Sequence, residues 1–142
     1  MANKLQVTID VIIHATEDIS KFITCFEEFF FLEKERISMQ NLMGHYDNPI
    51  TIIRTKLTKK EAQEFLNGLI KILTNTQINE ILDDLENRID NSTLHLRLNK
   101  QDFIKGKIGF REKDALKIKI STPVYNKKDK LEIFSKMFQP VN

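Results

Sequence analysis

Three histidines, His14, His45 and His95, and four carboxylates, Asp10, Glu17, Asp18 and Asp47, are the side chains whose chemistry could be catalytic. Two histidines with a lysine can move the protons of RNA cleavage, and a carboxylate set can hold a divalent cation. Neither group has motif spacing. The chain also lacks a phosphate-cradling glycine loop of the nucleotide-binding kind, a dinucleotide fingerprint and a zinc-protease helix. His14 falls at the end of an extended run, His45 in a turn and His95 on the polar side of an alternating run. The expectation is a non-catalytic protein with no metal and no cofactor. The single Cys25 excludes an internal disulfide and reads as a small buried residue on a helix.

Binding chemistry is better represented. The net charge is +2, but residues 1–96 hold 10 Lys/Arg against 15 Asp/Glu, and residues 97–142 hold 12 against 5. Such asymmetry points the basic part toward an anionic partner. The stretch KQDFIKGKIGF, 100–110, followed by Arg111, supplies Lys100, Lys105, Lys107 and Arg111, with Gly106 and Gly109 allowing close backbone approach to a phosphate. Alternation on either side adds His95, Arg97, Lys117 and Lys119 on polar strand faces. Point charges spaced over a rigid surface are what a phosphate-backbone binder needs. Outside obvious core positions the aromatic candidates are only Tyr46, Tyr125, Phe103 and Phe110. That favours shape-led recognition of structured RNA over sequence-specific reading of single strands.

The elements that must position these residues are legible in the hydrophobic pattern. LQVTIDVII (5–13), ITIIRTKL (50–57), STLHLRLN (92–99) and DALKIKIST (114–122) read as strands, and 34–43 as a further one. The polar set of the third strand, Arg54 and Lys56, shares its parity with Ile50 and Ile52. Ile19, Phe22, Ile23, Phe26, Phe29 and Phe30 mark the apolar, core-facing side of a first helix behind HATED (14–18), with Thr16 as its expected cap. TKKE (58–61) predicts a capping box for a second helix, Asn75 or Thr76 the cap of a third, and Asn126 that of a last helix over 126–138. LMGHYDNPITI, 42–52, reads as a hairpin loop built on Gly44, Asp47, Asn48 and Pro49. The predicted order is β-α-β-β-α-α-β-β-α. It describes a two-layer α+β domain over 1–142, with a mainly antiparallel sheet and helices on one face. The chain has 142 residues, 41% of them hydrophobic, no apolar run near the ~20 of a membrane span and no signal-peptide pattern in MANKLQVTID. It is expected to be cytoplasmic, with no membrane partner.

Three segments together carry a resemblance: HATED at 14–18, HYDNPI at 45–50, and LHLRLNKQDFIKGKI at 94–108 followed by DALKIKI at 114–120. Their order and spacing resemble an archaeal RNA-binding family described as exosome-associated. Its fold is like that of the ribosomal protein that docks the smallest rRNA of the large subunit. Asp47 stands where that family usually has glycine, and Asn99 where it usually has aspartate. The resemblance implies RNA binding through His45, Asn48, Arg97, Lys100, Gln101 and Gly106, with exosome components as candidate partners. Together with the basic positions Lys105, Lys107, Lys117 and Lys119, these form the candidate site. A second expectation, motivated by the apolar Ile50, Ile52 and Ile53, is a protein-interaction module acting as a homodimer through its sheet.

Overall fold

The computed structural model describes residues 4–44, 48–123 and 127–138. The fold is α+β, with a six-stranded antiparallel open sheet in the order β2-β3-β1-β6-β5-β4. The strands are β1 (Gln6–His14), β2 (Ser38–Met43), β3 (Pro49–Thr58), β4 (Ile89–Asp90), β5 (Thr93–Leu98) and β6 (Leu116–Ser121). The helices are α1 (Ile19–Glu28), α2 (Lys59–Ile72), α3 (Asn75–Asp83), α4 (Leu85–Arg88), α5 (Lys100–Phe103) and α6 (Lys127–Met137). Alternation is obeyed strand by strand. Val7, Ile9, Val11 and Ile13 of β1 are buried, as are Leu94, Leu96 and Leu98 of β5 and Leu116, Ile118 and Ile120 of β6, while the intervening residues are not. On β3 the buried set is Thr51, Ile53, Thr55 and Leu57, which leaves Arg54 and Lys56 exposed. The short β4 and α5 were absent from the predicted order, because two and four residues carry no readable periodicity.

The chain divides into two compact units. The first comprises residues 1–7, 57–96 and 119–142. Its core gathers Phe65, Leu66 and Leu69 of α2, Ile81 of α3, Leu85 of α4 and Phe134 of α6. The capping box predicted at 58–61 does not form: Thr58 stands at the cap but makes no side-chain cap bond. Lys59 lies instead in the left-handed region at φ 54°, and its amide donates to the Leu5 carbonyl at 3.0 Å. The box occurs one helix later, where the Thr74 hydroxyl accepts from the Gln77 amide and Gln77 reaches back to the Thr74 amide. A two-residue turn at Asn91-Ser92 joins β4 to β5, with Asn91 at φ 57° and Ile89 paired with Leu94.

The second unit comprises residues 8–56 and 97–118. Phe22 and Phe26 of α1, Phe30 and Phe103 are all buried, with ring centroids 5.1–6.3 Å apart in the pairs they form around Phe103. This cluster fixes α1 against the 97–118 segment, and rings at these separations attract beyond their buried area. Asp18, not Thr16, caps α1, its carboxylate accepting from the Ser20 amide at 3.0 Å. The helix ends with Phe31 at φ 56° and 79% exposed, where the Leu32 amide reaches back to the Phe26 carbonyl. That closure normally places glycine in the left-handed position. The 34–43 run is a short 3-10 turn, Lys34–Arg36, followed by β2. β2 pairs antiparallel with β3, Ser38 opposite Arg54 and Met43 opposite Pro49. The Gly44 amide closes the hairpin on the Asn48 carbonyl at 2.7 Å.

Candidate nucleic-acid interface

The basic segment folds back on itself within the second unit. Leu98 bridges Phe110, the Asn99 amide donates to the Gly109 carbonyl at 2.8 Å, and the Arg111 amide donates to the Arg97 carbonyl at 3.1 Å. Inside this ladder Asn99 caps α5, its side-chain oxygen accepting from the Gln101 and Asp102 amides at 2.9 and 3.1 Å. An aspartate would cap in the same shape, so the asparagine keeps the geometry and drops the charge. Gly106 follows at φ +76°, a conformation that a side chain would strain. At Gly109 a Cβ would meet the Asp102 carboxylate, so a side chain there requires that carboxylate to swing aside. Gly106 therefore serves the turn itself.

This fold gives the cations different fates. Arg97, Lys105, Lys107 and Arg111 are exposed and form no salt bridge among the described residues. Gln101 and Lys117 are exposed too, and so is Asn48 in the β2-β3 hairpin. Lys119 is half-buried on β6 and belongs to the first unit. His45 lies outside the described residues, as do Tyr46, Asp47, Tyr125 and Asn126. Lys100 departs from the expected surface role. It is 3% exposed, and its ammonium donates to the Ile12 carbonyl at 2.6 Å, Glu17 at 2.8 Å and Asp114 at 3.1 Å, with the Phe22 ring 6.0 Å away. With three acceptors around it and almost no exposed surface, this ammonium is turned into the protein and not toward a phosphate.

Around Lys100 two of the sequence motifs converge. Glu17 of HATED also accepts the His14 amide at 2.8 Å, and His14 Nε2 pairs with Asp114 at 3.0 Å. Partial burial alone would raise the Asp114 carboxyl, but hydrogen bonds from His14 and Lys100, and their charges, outweigh it and hold the group below its usual range. A depressed carboxylate contributes stability that is present above its unfolded value and lost as pH falls through its folded one. Acid titration below about pH 4 is therefore expected to destabilise the native protein more steeply than an Asp114→Asn variant, followed by circular dichroism. Parallel acid limbs would exclude the contribution. Of the other carboxylates considered for a metal, Asp10 pairs with Arg54 and Asp18 with Ser20, while Asp47 lies outside the described residues. No group of three or more potential ligands gathers among the described residues.

A family model described as RNA binding matches residues 6–122. The chain belongs to that RNA-binding family. The match takes in the whole basic ladder and the cluster around Lys100. A crystal structure of a DUF54 protein from Archaeglobus fulgidus is 31% identical, with a TM-score of 0.79 over 93% of this chain and 97% of that one. A second DUF54 protein, from Methanothermobacter thermautotrophicus, is 26% identical, with a TM-score of 0.74 over 94% and 97%. A protein of Methanocaldococcus jannaschii is 28% identical over 137 residues, 89% of this chain and 91% of its own. These relatives are archaeal.

Two features of this family member escaped the sequence reading. Phe103, taken as a candidate stacking platform, is fully buried in the phenylalanine cluster. The Ile50, Ile52 and Ile53 run, which motivated a homodimer through the face or edge of the sheet, lies on β3, an interior strand, and Ile53 is fully buried. The edge beside β3 is β2, whose residues are all exposed, with Met39 at 57% and Met43 at 63%. No helix among the described residues is long and apolar enough to cross a membrane.

Proposed function

We propose that this is a non-catalytic RNA-binding protein that holds the phosphates of structured RNA with the loop 97–111 and acts in RNA processing or degradation, or in ribosome-related work. The observation that carries the reading is the set of four exposed cations, Arg97, Lys105, Lys107 and Arg111, on one hydrogen-bonded loop. Family membership supports RNA as the partner. The association with exosome components rests on the resemblance of the three motifs. Of the three histidines, His14 is paired with Asp114, and the carboxylates beside it also accept from Lys100.

Each phosphate neutralised releases counterions, so log Kobs for a structured RNA should fall linearly with log salt, by roughly 0.7–0.9 per contact. With three or four contacts, affinity drops roughly twentyfold to 150-fold between 50 and 200 mM salt. A flat salt response in filter binding would count against the phosphate-holding loop.

A homodimer through β2 is the second reading. It is favoured by the exposed Met39 and Met43 on a charge-free edge strand, SMQNLM. Antiparallel self-pairing would bring no like charges together. Sedimentation should then give a dimer mass that Met39→Lys reduces to the monomer. A monomer mass for the unaltered chain at high concentration removes this reading.

A further inference from the structure

A cleft of about 550 Å³ opens in the second unit between α1 and the turn at 104–106. Lys21, Thr24, Cys25 and Glu28 line it from α1, together with Phe29 at the end of that helix. Ile104 and Lys105 line it from the other side. Lys21 and Lys105 are both exposed and form no salt bridge among the described residues. Phe29 is only half-buried, although its helical spacing put it with the core. The lining thus combines two ammonium groups, the Ser20 and Thr24 hydroxyls, a thiol, an apolar strip and one carboxylate.

A concavity of this size holds a small ligand and is too narrow for a base-paired stem. Its chemistry sorts the parts of one nucleotide. A phosphate pairs with Lys21 and Lys105 by charge-assisted bonds. A base covers the apolar surface of Phe29 and Ile104, as unstacked bases do on aromatic side chains. Glu28 repels a phosphate and accepts from an exocyclic amino group, which favours adenine, cytosine or guanine over uracil. We propose that this cleft receives one unpaired nucleotide, bulged from a structured RNA, so that the protein reads an irregularity in the helix as well as its backbone. The inference rests on the RNA-binding reading and adds a preference that backbone contacts alone cannot give.

The test compares two RNA hairpins with the same stem, one fully paired and one with a single bulged adenosine. The unaltered protein is expected to bind the bulged hairpin about tenfold more tightly. Lys21→Ala, at an exposed position where folding is not at stake, is expected to abolish that preference and change the affinity for the paired hairpin less than about twofold. Cys25, the chain's one cysteine, gives a second readout inside the cleft. Burial and then the neighbouring Glu28 push its thiol up, so maleimide labelling is run above neutral pH. The bulged hairpin should slow labelling and the paired one should not. Protection by AMP alone, without protection by the bulged hairpin, would assign the cleft to a free nucleotide and overturn the proposal. Equal binding of both hairpins with Cys25 unprotected, or a preference that survives in Lys21→Ala, also overturns it while leaving RNA binding intact. Failure to bind either hairpin removes the RNA-binding reading as well.

Discussion

Lys100→Ala lowers the folding stability by about 2–4 kcal/mol, a fall of the melting temperature on the order of 10 °C. The change strips a buried ammonium from three acceptors and leaves the Glu17 carboxylate, 15% exposed, without its cation. Removing one partner of a buried pair typically costs about 3–5 kcal/mol, and the lower range applies because Asp114 is half exposed and recovers solvation. Lys100→Met separates charge from packing, since it keeps an apolar stem beside Phe22. It should still destabilise, and adding Glu17→Gln should return about 1–2 kcal/mol, because the second change removes the stranded charge. Glutamine can still accept from the His14 amide. Thermal or urea unfolding of the native chain, Lys100→Met, Glu17→Gln and the double variant completes the cycle. A Lys100→Met variant as stable as the native chain would mean that the cluster does not hold the loop.

The second large effect falls on RNA. Replacing Arg97, Lys105 and Lys107 together by alanine should flatten the slope of log Kobs against log salt by roughly 3 and weaken binding at ~0.1 M salt by up to about a thousandfold. Their exposure means that the melting temperature stays within a few degrees. Lys100→Met supplies the contrast: at a temperature where it is folded, its salt slope should match the native one, because a 3%-exposed ammonium meets no phosphate. If the triple variant kept the native slope, the phosphate contacts would have to be sought elsewhere, with Lys117 and Lys119 first.

Strand and helix identity were legible because burial follows parity. Leu94, Leu96 and Leu98 face in, His95 and Arg97 do not, and the period alone says so. Caps were less legible. Thr16 and Asp18 are both good cap residues, and only backbone geometry selects Asp18. The Thr58 box was well formed as a pattern, yet the Lys59 amide is drawn to Leu5, some fifty residues earlier in the chain. Thr74 and Gln77, three apart, carried the box signal in plain sight one position before the predicted caps. The largest misreading was Lys100. A lysine within a run of lysines looks solvated, and nothing local marks this one. Its acceptors are supplied by Ile12, Glu17 and Asp114, separated from it by 88, 83 and 14 residues. Phe29 was misjudged in the opposite sense, because helical spacing reports the facing direction and not whether a neighbour completes the cover.

The ladder from Arg97 to Arg111 has a kinetic meaning. A basic tail that is unstructured when free must lose its conformational freedom as it meets RNA, which subtracts from the affinity and delays the committed complex. Here the Leu98-Phe110 bridge, the Asn99 cap and the Lys100 anchor set the cations in place during folding. On the phosphate-holding reading, encounter with RNA should then require no rearrangement of the loop. Its rate should be set by diffusion and by the orientation of two charged surfaces, responding to ionic strength and not to the time a loop needs to find its shape.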